Sequence, residues 1–125
     1  MKTLGLLLVS LSFSAAGADE EFTRWWPQFQ AAAAKGDATA VSERSKFPMD
    51  WENGPVRKIE TRQDFIARFN TYFTADMKHA VASRKPVAIP GGYMITWKAR
   101  GNEYSLHFRP APRAYALSGL SEGPD

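Results

Sequence analysis

The stretch YMITWKARGNEYSLHFR, residues 93–109, decides the fold class. Tyr93, Ile95, Trp97 and Ala99 alternate with Met94, Thr96, Lys98 and Arg100, and the alternation resumes as Tyr104, Leu106 and Phe108 against Ser105, His107 and Arg109. A period of two places each apolar set on one side of a pleated strand. Gly101-Asn102 lies between the two runs and reads as a two-residue hairpin turn. With that turn, Ala99 faces Tyr104, Trp97 faces Leu106 and Ile95 faces Phe108, so every apolar residue meets an apolar partner. A slip of one residue would turn the apolar set to solvent, which a buried face forbids.

Working outward, Pro110-Ala111-Pro112 is a rigid break, and Ala114 to Ser118 reads as a further strand with Tyr115 and Leu117 on one face. Pro86 to Ile89 is a candidate short strand before the hairpin. Upstream, Phe65, Ile66, Phe69, Tyr72 and Phe73 fall at i, i+1, i+4, i+7 and i+8, the spacing of an amphipathic helix. Thr61 precedes it with Asp64 three residues on, which resembles a capping box. Between Met49 and Glu60, Asn53-Gly54-Pro55 is a turn signal and Val56 with Ile59 a strand candidate.

Nearer the start, Phe22, Trp25, Trp26, Phe29 and Ala33 recur at helical spacing, and Ala31 to Ala34 favour helix. Pro27 interrupts them. An interior proline costs about 3 kcal/mol, so Pro27 is expected in a first turn or at a kink, with Phe22 to Trp26 partly outside the regular helix. Lys35-Gly36-Asp37 then reads as a helix stop and a new N-cap. A second short helix is expected from Asp37 toward Arg44, ended by Phe47-Pro48.

The expected fold class is α+β, with N-terminal helices packed on a curved antiparallel sheet in the order helix, helix, strand, helix and four strands. Over nearly all of the mature chain this order resembles the nuclear transport factor 2-like group, the cystatin-like α+β cone. The residues that carry the resemblance are Phe22-x-x-Trp25-Trp26-x-x-Phe29 running into Gly36-Asp37, the Phe65-x-x-x-Phe69-x-x-Tyr72-Phe73 helix, and the terminal hairpin. The resemblance implies a pocket between sheet and helices and pairing of two copies through their sheets. It also implies a scaffold used by isomerases, dehydratases and non-catalytic modules.

Lys2, the apolar run Leu4 to Phe13 and the small residues Ser14 to Ala18 have the pattern of a secretory signal cut after Ala18. A membrane anchor needs about 18 or more apolar residues, and this run is near half that. Residues 1–18 are therefore expected to be a signal peptide and 19–125 a single α+β domain, periplasmic or secreted. The chain has no cysteine, which excludes disulfides, a cysteine nucleophile and the acylated cysteine of a lipoprotein. Sixteen aromatic residues must then supply the core. A formal net charge of +3, without a dense Lys and Arg cluster, argues against a nucleic-acid partner.

No motif specifies a reaction, and no residue pattern requires a cofactor. Two histidines are too few for an ordinary metal site, although Asp76 and His79 stand at i, i+3. Both read as solvated, and His107 reads as a surface histidine. Asp50 and Glu52, flanking Trp51, are the candidate carboxylates for acid or base work. Trp26, Trp51, Tyr72 and Trp97 are candidates to line an apolar ligand pocket, with Trp51 partly exposed in its turn-rich segment. Lys98, Arg100, Arg109 and Arg113 are candidates to meet an anionic partner. The favoured expectation is a non-catalytic exported binding module for a small apolar ligand or a protein. An isomerase- or hydratase-like enzyme using a pocket carboxylate, and an inhibitor or immunity protein acting through the basic hairpin, are the alternatives.

Overall fold

A computed structural model describes residues 20–124, and the expected export segment lies outside them. Helix α1 covers residues 20–35. It is followed by α2 (Ala38–Glu43), β1 (Ser45–Asn53), β2 (Val56–Ile59), α3 (Arg62–Ala67), α4 (Phe69–Tyr72) and α5 (Ala75–Ser83). The chain ends in β3 (Val87–Ile89), β4 (Gly92–Ala99), β5 (Asn102–Ala111) and β6 (Ala114–Pro124). One six-stranded curved sheet in the order β2-β1-β6-β5-β4-β3 carries the helices on one face. The fold is α+β as expected, and the sheet is mixed because β1 runs parallel to β6 while every other neighbour is antiparallel.

Helix α1 runs through Pro27, which is not in its first turn, and takes in Phe22 to Trp26, expected partly outside it. Phe22, Trp25, Trp26 and Phe29 are all buried. Burying each such side chain is worth about 1.5–3 kcal/mol, so together they outweigh the proline cost. Their common target is Phe108, whose ring lies 5.1 Å from Trp26 and 5.3 Å from Phe29, both edge-on. Gly36, at φ 66°, stops the helix. The Asp37 side chain then accepts from the Ala40 amide and starts α2.

Strand β1 includes the segment around Trp51 expected to be turn-rich. Phe47, Met49 and Trp51 turn inward while Lys46, Pro48, Asp50 and Glu52 are exposed. Pro48 does not end a helix, as α2 has already stopped at Glu43. Pro48 is tolerated because the β1–β6 register shifts between Ser45 and Asp50 and the β1–β2 ladder begins at Met49. Trp51 is 0 % exposed, which corrects its expected partial exposure.

The single helix expected from Phe65 to Phe73 is two, α3 and α4, jointed at Arg68 (φ −118°, ψ 33°). The joint keeps Phe65, Phe69, Tyr72 and Phe73 all buried. Thr61 caps α3 by accepting from the Asp64 amide. Arg68 bridges to Asp64 at 3.0 Å. The Tyr72 hydroxyl donates to the same carboxylate.

The hairpin pairs Ala99 with Asn102, Trp97 with Tyr104, Ile95 with Leu106 and Tyr93 with Phe108. The turn is thus Arg100-Gly101, and the register lies two residues from the expected one. Both registers match apolar faces, and the turn geometry decides between them. Arg100 and Gly101 have φ of 53° and 77°, the positive pair that a type I′ turn requires. Arg100 holds this conformation through an ion pair with Asp76 at 2.8 Å and a guanidinium 5.1 Å above the Tyr104 ring.

Candidate functional site

Phe22, Trp26 and Gln30 stand four residues apart on α1, so their side chains form one row along the helix. The Phe22 ring stacks on Tyr93 of β4, with centroids 3.8 Å apart and planes 9° from parallel. Gln30 Nε2 donates to the Val81 carbonyl at 2.9 Å, tying α1 to the end of α5. The chain leaves α5 beside this row through Arg84, Lys85 and Pro86. Between them lies a cleft of about 500 Å³ lined by Phe22, Trp26, Pro27 and Tyr93 on its apolar side and by Arg84 and Lys85 on its basic side. The volume falls within the range of small-molecule sites, about 300–1,000 Å³. No carboxylate lines it. Arg84 and Lys85 are exposed, and neither side chain bonds to another described residue.

Of the four aromatics expected at a ligand pocket, only Trp26, 8 % exposed, reaches the cleft. Trp51 packs edge-on against Phe65 and Tyr72 in the core. Its indole Nε1 is buried without a hydrogen-bond partner among the described residues. Tyr72 is buried, with its hydroxyl engaged by Asp64 and Arg68. Burial first, and then the Asp64 carboxylate, push the Tyr72 phenol above its ordinary value. Asp64 is held below the usual carboxylate range by its hydrogen bonds from Arg68 and Tyr72.

Trp97 is buried and donates from Nε1 to Asp76 Oδ2 at 2.8 Å. The same carboxylate takes the Arg100 guanidinium through Oδ1. Asp76 is therefore no solvated partner of His79. Its burial works to raise its pKa, and the hydrogen bonds from Arg100 and Trp97 override that and bring it below the ordinary value. This is a structural junction between α5 and the hairpin turn.

Asp50 and Glu52 lie on the other face of the sheet, where they share a groove of about 330 Å³ with His107, Arg109, Ser118 and Ser121. Neither lines the helix-side cleft. His107 is half-buried there, not fully on the surface. Burial, followed by the charge of Arg109, holds its pKa below the ordinary value, with Glu52 opposing. The four basic candidates do not converge. Arg100 is at the β4–β5 turn, Lys98 sits opposite Glu103, and Arg109 donates to the Pro90 carbonyl at 2.9 Å. Arg113 is at the β5–β6 turn beside Trp25 and Tyr115, roughly 30 Å along β5 from Arg100. Among the described residues no three Asp, Glu or His side chains are placed to hold a metal ion. None of the described helices is long and apolar enough to cross a membrane.

Sequence reasoning found Trp26 but missed Tyr93, Arg84 and Lys85 as its companions. Tyr93 was legible as an inward strand residue. Nothing local showed that the segment after α5 would fold back beside α1. Helix α5 itself had a signal in Met77, Ala80 and Val81 at i, i+3 and i+4, all buried.

No family model matches the sequence, and no curated protein matches it. Among solved structures, the chain is similar to an NTF2-like protein with a cystatin-like fold from Novosphingobium aromaticivorans, with a TM-score of 0.52 and 12% identity. The match covers 93% of this chain and 87% of that one. At that identity the likeness is one of fold, and it agrees with the mixed sheet and the helices laid across one face. The chain thus has a cystatin-like α+β fold.

Proposed function

We propose that the protein is an exported, non-catalytic binding module whose helix-side cleft takes a small aromatic anion. The observation that carries this reading is the pairing of an aromatic wall, Phe22, Trp26 and Tyr93, with a rim whose charged members, Arg84 and Lys85, are both basic. Aromatic faces hold an apolar ring by stacking and burial. Two cations without competing carboxylates favour an acidic substituent on it. A non-catalytic role is supported by the position of Asp50 and Glu52, which are exposed on the opposite face, away from the cleft.

Export rests on the sequence pattern of residues 1–18. Mass spectrometry of the mature protein made in a bacterial host tests it, and a chain beginning at Asp19 is the expected result. Retention of Met1 would remove that part of the proposal. Titration calorimetry with 2-naphthoate tests the binding role, with one saturable site expected. Substitution Trp26→Leu should weaken the complex about tenfold, and an unchanged affinity would move the ligand elsewhere.

A further inference from the structure

The outer face of the sheet carries a second, chemically different groove. Its floor is Gly119, which pairs with Asp50 of β1 on one side and with His107 of β5 on the other. The β5–β6 ladder breaks between His107 and Phe108, and the β1–β6 ladder breaks just before Asp50. Bulges of this kind re-aim side chains and gather beside binding sites. Glycine lets β6 approach β1 closely here, since a Cβ at Gly119 would lie 3.1 Å from the Asp50 carbonyl oxygen.

The walls are oppositely charged. Asp50 and Glu52 form one, and Asp50 makes no side-chain hydrogen bond to a described residue, although Lys58 lies opposite it on the edge strand. Arg109 stands on the other wall, its guanidinium anchored through one nitrogen to the Pro90 carbonyl. Ser121 Oγ is 3.1 Å from His107 Nε2, and Ser118 Oγ donates to the His107 carbonyl. His107 Nδ1 is buried with no partner among the described residues, and a buried polar atom of this kind calls for one.

We infer that this groove binds a small zwitterion of dipeptide length, its ammonium group against Asp50 and Glu52 and its carboxylate against Arg109. Asp50 lies two strand spacings from β5, and Arg109 is offset by two residues from the position opposite it, His107, so the Asp50 and Arg109 Cα atoms are roughly 12 Å apart. An extended dipeptide spans about 7 Å, and a hydrogen bond of about 3 Å at each end brings its reach to that separation. Neither Asp50 nor Arg109 belongs to the helix-side cleft, so this site stands independently of the aromatic-anion proposal.

The test is an NMR titration of the ¹⁵N-labelled purified chain with glycylglycine. Saturable shifts are expected at the amides of His107, Gly119 and Ser121. N-acetylglycine lacks the ammonium group and glycinamide lacks the carboxylate, and each should bind at least about tenfold more weakly. Substitutions Asp50→Asn and Arg109→Gln, both at exposed positions, should each produce a similar loss while leaving 2-naphthoate affinity unchanged. Absence of saturable shifts, or equal response to all three probes, would overturn the assignment. Shifts that follow protein concentration and not glycylglycine would also overturn it, by showing a second copy of the chain on this face.

Discussion

The rings of Phe22 and Tyr93 lie face to face, 3.8 Å between centroids, and join the first helix to β4 at the mouth of the helix-side cleft. One contact thereby links the cone's closure to its binding wall. Replacing Tyr93 by Ala removes a half-buried ring that also meets Tyr115 edge-on at 5.7 Å. A loss of about 1–3 kcal/mol is expected in urea denaturation, together with about tenfold weaker 2-naphthoate binding. Stability loss with affinity intact would separate the ring from the ligand wall.

Phe108 receives the edges or faces of four rings on α1, those of Phe22, Trp25, Trp26 and Phe29. Its removal leaves all four without their common partner. Substitution Phe108→Ala should cost about 3–5 kcal/mol, and Phe108→Leu distinctly less. Chemical denaturation measures both. A loss near zero for Phe108→Leu would show that burial of any apolar side chain suffices and that the ring contacts add nothing, and a loss equal to that of Phe108→Ala would show that an aliphatic side chain restores none of the packing.

Asp76 ties the hairpin turn to α5, and its pKa lies below the ordinary 3.8. A depressed folded value means that the charged carboxylate stabilises the fold above the unfolded pKa. That contribution disappears as pH falls through the folded value. Substitution Asp76→Asn keeps an acceptor for Trp97 and removes the partly exposed ion pair with Arg100, so its cost at neutral pH should stay within about 1 kcal/mol. Below about pH 4 the wild type should lose stability more steeply than the variant. Parallel stability curves for the two would contradict the assigned role. Substitution Asp76→Ala also strands the Trp97 N–H and should cost about 1–3 kcal/mol.

At Gly101 a Cβ would meet nothing within 4 Å, and the backbone φ is 77°. Any penalty for a side chain there is conformational. Gly101→Ala should destabilise by about 1–2 kcal/mol in thermal denaturation, and Gly101→Asn by less, because Asn enters the left-handed region more readily. Indistinguishable melting of Ala and Asn variants would show that the turn does not discriminate.

The hairpin shows how far the sequence can be followed. Strict alternation in Tyr93 to Phe108 settled which side chains face inward, because a one-residue slip inverts a strand. It could not choose between registers two residues apart, which present the same faces. Backbone sign at Arg100 and Gly101 made that choice. Strand β1 was obscured by Pro48, although Phe47, Met49 and Trp51 already alternate with Lys46, Asp50 and Glu52. Pro27 misled for the same reason: local proline cost was visible, while the distant Phe108 that compensates for it was not. The cleft was the least legible feature, since α1, the segment after α5 and β4 meet only through tertiary packing.

The most direct measurement compares the affinities of 2-naphthoate and its uncharged analogue 2-naphthamide for the wild-type protein and for the double variant Arg84→Gln, Lys85→Gln. The wild type should bind the carboxylate at least about tenfold more tightly than the amide. The double variant should lose that preference while retaining affinity for the amide, because the aromatic wall of Phe22, Trp26 and Tyr93 is untouched. Failure of either compound to saturate a site, or a carboxylate preference that survives the double substitution, would contradict the account of the cleft.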